Sequence, residues 1–167
     1  MFDKIQPSSA SHLKPETYAR LKTQLEALIG EECDFIANAA NMAALIFHSL
    51  YDLNWAGFYL LKGDELVLGP FQGKPACIRI ALGKGVCGHA AGERVTVVVP
   101  DVHAFPGHIA CDAASRSEVV VPILDGERLV GVLDLDSPTV GRFDEYDRAG
   151  LEELVRIFVE RSDLPTT

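Results

Sequence analysis

The chain has 167 residues, 48% of them apolar, and a formal net charge of −9. That length suits one domain with a proper core. The acid excess excludes a nucleic-acid partner, because phosphates call for a basic stripe and the sequence has none.

The first residues, MFDKIQPSSASHLKPE, lack the continuous apolar run of a secretory signal. The longest apolar stretches stop well short of a membrane span. The expected compartment is therefore cytoplasmic, with no membrane partner. Four cysteines in that compartment serve catalysis, metal binding or packing more often than a permanent disulfide framework.

In chain order, residues 15–30 predict an amphipathic helix. Tyr18, Leu21, Leu25 and Leu28 recur at helical spacing, Pro15 suits the first turn and Gly30 the stop. Residues 33–51 predict a second helix, apolar at Phe35, Ile36, Ala39, Ala43 and Ile46, with Glu32 and Asp34 at its positive end. The texture then changes. NWAGFYLL, ELVLGP, CIRIAL and RVTVVVP are short, aromatic or β-branched segments broken by glycine or proline. Between the third and fourth of them, VCGHAAG predicts a short helix starting near Cys87. LKGDEL and VVVPIL-DG-ERLVGVLDLDS predict hairpins, turning at Gly63-Asp64 and Asp125-Gly126. DEYDRAGLEELVRIFVERS predicts a closing helix capped by Asp144, with Leu151, Leu154, Val155, Phe158 and Val159 on its apolar face. The order is α+β: two helices, about six mostly antiparallel strands, and a final helix on the same face of the sheet. Residues 101–117 form a connection long enough to suggest function.

Alternation along strands sorts side chains onto faces. Leu129, Leu133 and Leu135 share one face of the last strand; Val130, Val132, Asp134 and Asp136 share the other. Trp55, Gly57 and Tyr59 share a face of the first strand. The leucine face should meet the helices, which leaves aromatics and acids lining a pocket opposite. The plainer reading is that the two aspartates end a strand in water and the two aromatics are core. Cys87, near a helix start, is the cysteine whose thiol the helix dipole should acidify. Cys33 reads as a packed small residue. Cys77, Cys87, Cys111, His89, His103 and His108 include enough soft ligands for zinc, but no compact zinc spacing joins them.

NWAGFYL, LGPFQGKPACIRIALGKGVCG, PDVHAFPGHIACDAASRSEVVVPI and GVLDLDSP resemble the free methionine-R-sulfoxide reductases, single-domain enzymes with a GAF fold. The resemblance runs from about Asn41 to Phe143. It implies one GAF-like catalytic domain over residues 1–167, with a six-stranded antiparallel sheet, helices on one side and an enclosed pocket on the other. It also implies roles: Cys111 as nucleophile, Cys77 as main resolving cysteine, and Cys87 as a third, supporting one. Glu118, Asp134 and Asp136 become pocket acids, with Asp134 or Asp136 as proton donor. Trp55 and Tyr59 become aromatic pocket residues. The expected substrate is free methionine-R-sulfoxide and the expected reductant thioredoxin, with no metal or cofactor; a homodimer is compatible. Ile78 after Cys77 and Arg116 before Ser117 depart from the family pattern. The alternative expectation is a sensory GAF module that binds a small ligand without turnover.

Overall fold

The computed structural model describes residues 13–109 and 112–166. Two helices come first, α1 (Lys14–Ile29) and α2 (Phe35–Ser49). Three strands follow: β1 (Trp55–Lys62), β2 (Glu65–Gly73) and β3 (Arg79–Ala81). Then come helix α3 (Gly85–Glu93), the short strand β4 (Val97–Val99), β5 (Ser117–Asp125), β6 (Arg128–Ser137) and helix α4 (Glu145–Arg161). The strands form one antiparallel sheet in the order β3-β2-β1-β6-β5-β4.

The helix ends follow from local chemistry. Asp34 is the N-cap of α2, its carboxylate accepting from Ala37 N at 2.8 Å, so Cys33 lies just outside the helix. Asp144 caps α4 through a reciprocal capping box with Asp147. The apolar stripe of α1 runs through Tyr18, Leu21, Leu25 and Ile29, so it is Ile29 that is buried and Leu28 that is exposed. Ile36, expected on the apolar face of α2, is also exposed; Met42 fills that face instead.

α2 and α4 cover one face of the sheet, with α1 packed on both of them. Ala56, Phe58, Val119, Val121, Ile123, Leu133 and Leu135 point into this core. α1 is fastened to α4 by a buried charge network. Asp147 accepts from Lys14, from Tyr18 at 2.9 Å and from Arg142 at 3.1 Å. The opposite face is covered by α3, and there Trp55, Tyr59, Cys87, Val120 and Val132 pack together.

Two bulges tune the faces. On β6, Ile123 pairs with Gly131 but Leu124 pairs with Leu129, so Val130 is the extra residue. The phase slips there. Val130 joins the helix-side core and Leu129 the α3 side, the reverse of strict alternation. On β2 the extra residue falls at Gly69-Pro70, opposite Phe58, where a proline costs no ladder bond. Both tight hairpins turn through glycine at positive φ, Gly63 at 66° and Gly126 at 59°. The second loop is Gly126-Glu127, since Asp125 pairs with Arg128. Among the described residues no helix is long and apolar enough to cross a membrane.

Candidate active site

The site lies on the α3 face, where adjacent strands place side chains in register. Asp136 pairs with Trp55 on one side and Glu118 on the other, and Asp134 pairs with Gly57 and Val120. The two aspartates, the glutamate and the two aromatics therefore share one face, as alternation predicts. They line a cleft of about 540 Å³, counted to its open mouth. Segment 74–76, the start of α3, His108, Ile109, Asp112 and Ser115 complete the wall.

Gly57 makes the aromatic wall possible. A Cβ there would lie 2.3 Å from Phe71 Cβ and 2.7 Å from Trp55 Cη2. Without it the indole lies flat, stacked on Tyr59 at 5.7 Å and on Phe71 at 5.3 Å. The wall also holds the segment that carries Cys77. Trp55 Nε1 donates to Lys74 O at 3.2 Å and Tyr59 Oη to Cys77 O at 3.0 Å. Cys77 does not open a strand, as the sequence suggested. It sits in irregular backbone before β3, half-buried and disulfide-bonded. Proline at 75 and the anchoring of the 74 and 77 carbonyls explain why the strand starts only at Arg79.

On the other side of the cleft, Asn54 Nδ2 donates to Asp112 Oδ2 at 3.2 Å and Ser115 Oγ at 3.0 Å. Lys74 Nζ lies 3.6 Å from Asp112 Oδ2, so the 74–78 segment and the 112–115 turn meet. Sequence reasoning missed the lining residues Asp112 and Ser115, and also Phe71 and Asn54, which support the wall by stacking on Trp55 and by hydrogen bonds to Asp112 and Ser115. A bulge and an irregular turn bring them in, and neither has a periodic signature. Cys111, the expected nucleophile, lies outside the described residues.

Glu118 and Asp134 are buried, and Asp136 is half-buried beside them. Desolvation first, then Asp134 and Asp136, pushes Glu118 well above the usual carboxylate range. Burial raises Asp134 to about 7. Burial and the charge of Asp134 push Asp136 up as well. Asp134 Oδ1 has no hydrogen-bond partner among the described residues. Cys87 is buried beside them, its Sγ donating to Glu118 Oε1 at 3.9 Å. Its thiol is not acidified. Desolvation and the three carboxylates raise it, overriding the helix start. His108 Nε2 stands 3.7 Å from Glu118 Oε2, and burial lowers its pKa, which favours neutral imidazole. Tyr59 is raised by burial and by Asp134, so it remains a neutral donor.

Among the described residues, the members of the zinc set considered from sequence are not brought together. His89 and His103 are exposed, and among the described residues Cys87, Glu118 and Asp134 alone bring ligand atoms within 4.8 Å of one another. Two buried acids and a half-buried third, all pushed toward the protonated form, suit an ammonium group and a proton acceptor. Cys33 is an exposed free thiol outside the pocket, not a packed residue.

A curled six-stranded antiparallel sheet, with helices behind it and a covered pocket in front, defines a GAF domain, and residues 30–159 match the GAF domain family. The chain is 53% identical over 142 residues to the free methionine-R-sulfoxide reductase of Escherichia coli, covering 85% of this chain and 86% of that one. It superposes with a TM-score of 0.86 on the free methionine-R-sulfoxide reductase of Neisseria meningitidis solved with its substrate, at 45% identity over 96% of this chain and 95% of that one. A provisionally assigned GAF sensor protein of Burkholderia vietnamiensis superposes with a TM-score of 0.87, at 63% identity over 89% and 95% of the two chains. This chain belongs to the free methionine-R-sulfoxide reductase family of GAF domains.

Proposed function

We propose that this protein reduces free L-methionine-R-sulfoxide to L-methionine, acting as a cytoplasmic enzyme recycled by thioredoxin. The observation that carries the reading is one cleft holding an aromatic wall, three clustered acids and the segment of a disulfide-bonded cysteine. The names of the relatives in E. coli and N. meningitidis support it.

In this reading Cys111 thiolate attacks the sulfoxide sulfur while a protonated acid, Asp134 or Asp136, gives a proton to the oxygen. The oxygen passes to Cys111, which becomes a sulfenic acid, and methionine leaves two electrons richer. Cys77 then attacks the Cys111 sulfur, forming the disulfide and expelling water. Cys77 is disulfide-bonded, whereas Cys33 and Cys87 are free, which supports Cys111 as its partner. Cys87, kept as a thiol by its surroundings, supports the acids as a hydrogen-bond donor. Trp55 and Tyr59 pack against the sulfoxide methyl end, and the ionised members of the acid cluster hold the α-ammonium.

The test is incubation with racemic free methionine sulfoxide and dithiothreitol, followed by chiral analysis. The R form is converted to methionine and the S form remains. Stoichiometric binding without methionine formation would overturn the reading in favour of a ligand-binding sensor.

A further inference from the structure

The mouth of the cleft carries an unusual surface. Nine large apolar side chains are exposed on the described surface, and three of them lie on segments that build the cleft: Ile109 in its wall, Ile78 two residues after Ala76 and Leu82 two after Ile80. Ile78 is 70% exposed and directly follows Cys77. Ile109 lines the cleft and packs over Gly85 at the start of α3, 3.2 Å from where a Cβ would stand. Ile78 and Leu82 flank β3 with the parity of Ile80, whose side chain enters the cleft. β3 is itself an edge strand of the sheet.

The exposure of Ile78 is built in. The carbonyls of Lys74, Cys77 and Ile78 are taken from the sheet side by Trp55 Nε1, Tyr59 Oη and Leu68 N, at 3.0–3.2 Å. The segment is therefore tied down by its backbone while the Ile78 side chain stands in solvent. Burying an exposed isoleucine is favourable, so its place beside a half-buried disulfide suits a partner surface. Of the exposed cations nearby, Arg79 pairs with Glu65 at 3.1 Å and Lys74 lies 3.6 Å from Asp112, so the rim is of mixed charge.

We propose that Ile78, with Leu82 and Ile109, is the docking surface for a protein dithiol that reduces the Cys77 disulfide. The proposal rests on the redox cycle above and adds where the reductant binds. The occupant is set by the chemistry: a disulfide beside an exposed isoleucine calls for a small protein with an exposed dithiol and an apolar rim. One partner thiolate attacks Cys77 Sγ, the internal S–S bond breaks, and the other cysteine leaves as thiolate. The partner's second thiol then displaces Cys77 from the mixed disulfide. This chain gains two electrons and the partner is left as its disulfide. A small dithiol reaches the same sulfur without touching Ile78.

The experiment follows the reduction of the oxidised full chain directly, by tryptophan fluorescence, with no sulfoxide present. Thioredoxin and dithiothreitol are compared on the unchanged protein, Ile78→Asp and Ile78→Leu. Ile78→Asp should slow the thioredoxin reaction at least tenfold and leave the dithiothreitol rate unchanged, while Ile78→Leu restores the thioredoxin rate. An unchanged thioredoxin rate in Ile78→Asp overturns the proposal, as does an equal loss with both reductants. No methionine formation in the separate sulfoxide assay would overturn the reductase reading without touching this comparison.

Discussion

Cys87 Sγ lies 3.9 Å from Glu118 Oε1, so a thiol from α3 is a hydrogen-bond donor to a buried carboxyl of β5. Burial and the neighbouring carboxylates make the thiol hard to ionise, while Glu118 is held protonated by burial and the charges of Asp134 and Asp136, against the opposing pull of the Cys87 hydrogen bond. The pocket floor is therefore built to hold protons near neutrality. That is an environment for delivering a proton to a leaving oxygen and a poor one for generating a thiolate. The reaction proposed above therefore assigns the nucleophile to a different cysteine, Cys111.

The cysteines should separate by role. Cys111→Ser abolishes methionine formation. Cys77→Ser gives about one methionine per chain and then stalls with thioredoxin, because the sulfenic acid has no resolving partner. Cys87→Ser retains turnover within a few-fold with dithiothreitol, since a serine hydroxyl keeps a donor toward Glu118. Quantifying methionine per chain in single- and multiple-turnover assays reads all three. Full cycling by Cys77→Ser would move the resolving role to Cys87.

Asp134 should make stability depend on pH. Its folded pKa is raised from 3.8 to about 7 by burial. A raised carboxyl favours folding fully below its unfolded pKa, and that advantage is lost as pH climbs toward the folded value. Asp134→Asn removes this dependence. The variant should match the parent near pH 4 and exceed it at pH 8 by a few kcal/mol, with the difference opening between about 4 and 7. Asp112, Asp144 and Glu153 titrate in the opposite sense, but they are common to both proteins and cancel. Denaturant melts across the pH range measure the difference, and a constant gap would show that Asp134 is not a desolvated acid. The same variant loses reductase activity if Asp134 is the donor.

The acid-and-aromatic face was legible before the structure because β strands alternate. Trp55, Tyr59, Asp134 and Asp136 needed only that rule. What the rule could not supply was phase. The Val130 bulge exchanged Leu129 and Val130 between faces, and a bulge leaves no periodic trace in its own residues. Helix α1 was legible to within one residue at either end, but its stripe drifted from Leu28 to Ile29, as 3.6-residue periodicity allows. The acidity expected of Cys87 failed for a different reason. A helix start is visible in sequence, whereas the three carboxylates that outweigh it come from strands some 30 to 50 residues away. Asn54, Asp112 and Ser115 were invisible because they meet through an irregular turn.

Recognition of the free amino acid should depend on its ammonium. Asp134 Oδ1 is buried without a partner among the described residues, and a cation there would satisfy it while relieving repulsion among the acids. N-acetyl-methionine-R-sulfoxide lacks the charge and adds bulk in a narrow cleft. Its kcat/KM should fall at least a hundredfold, about 3 kcal/mol of lost transition-state stabilisation. Comparable turnover of the acetylated and free compounds would remove the ammonium from the account.

Gly57→Ala tests whether the aromatic wall and the Cys77 segment are mechanically linked. The new methyl would lie 2.8 Å from Phe71 Cα as well as against the Trp55 ring. Backbone on one side and a stacked indole on the other leave it nowhere to go without displacement. Overpacking of this kind costs about 1–3 kcal/mol. The indole is the more mobile neighbour, yet its Nε1 holds Lys74 O, so swinging it aside loosens the segment that presents Cys77. The variant should fold with reduced stability, shift the emission of Trp55, the chain's single tryptophan, raise KM, and slow formation of the disulfide after the first methionine is released. Stability loss with unchanged emission and unchanged disulfide kinetics would mean that β2 yields instead, and that Trp55 does not position the resolving cysteine.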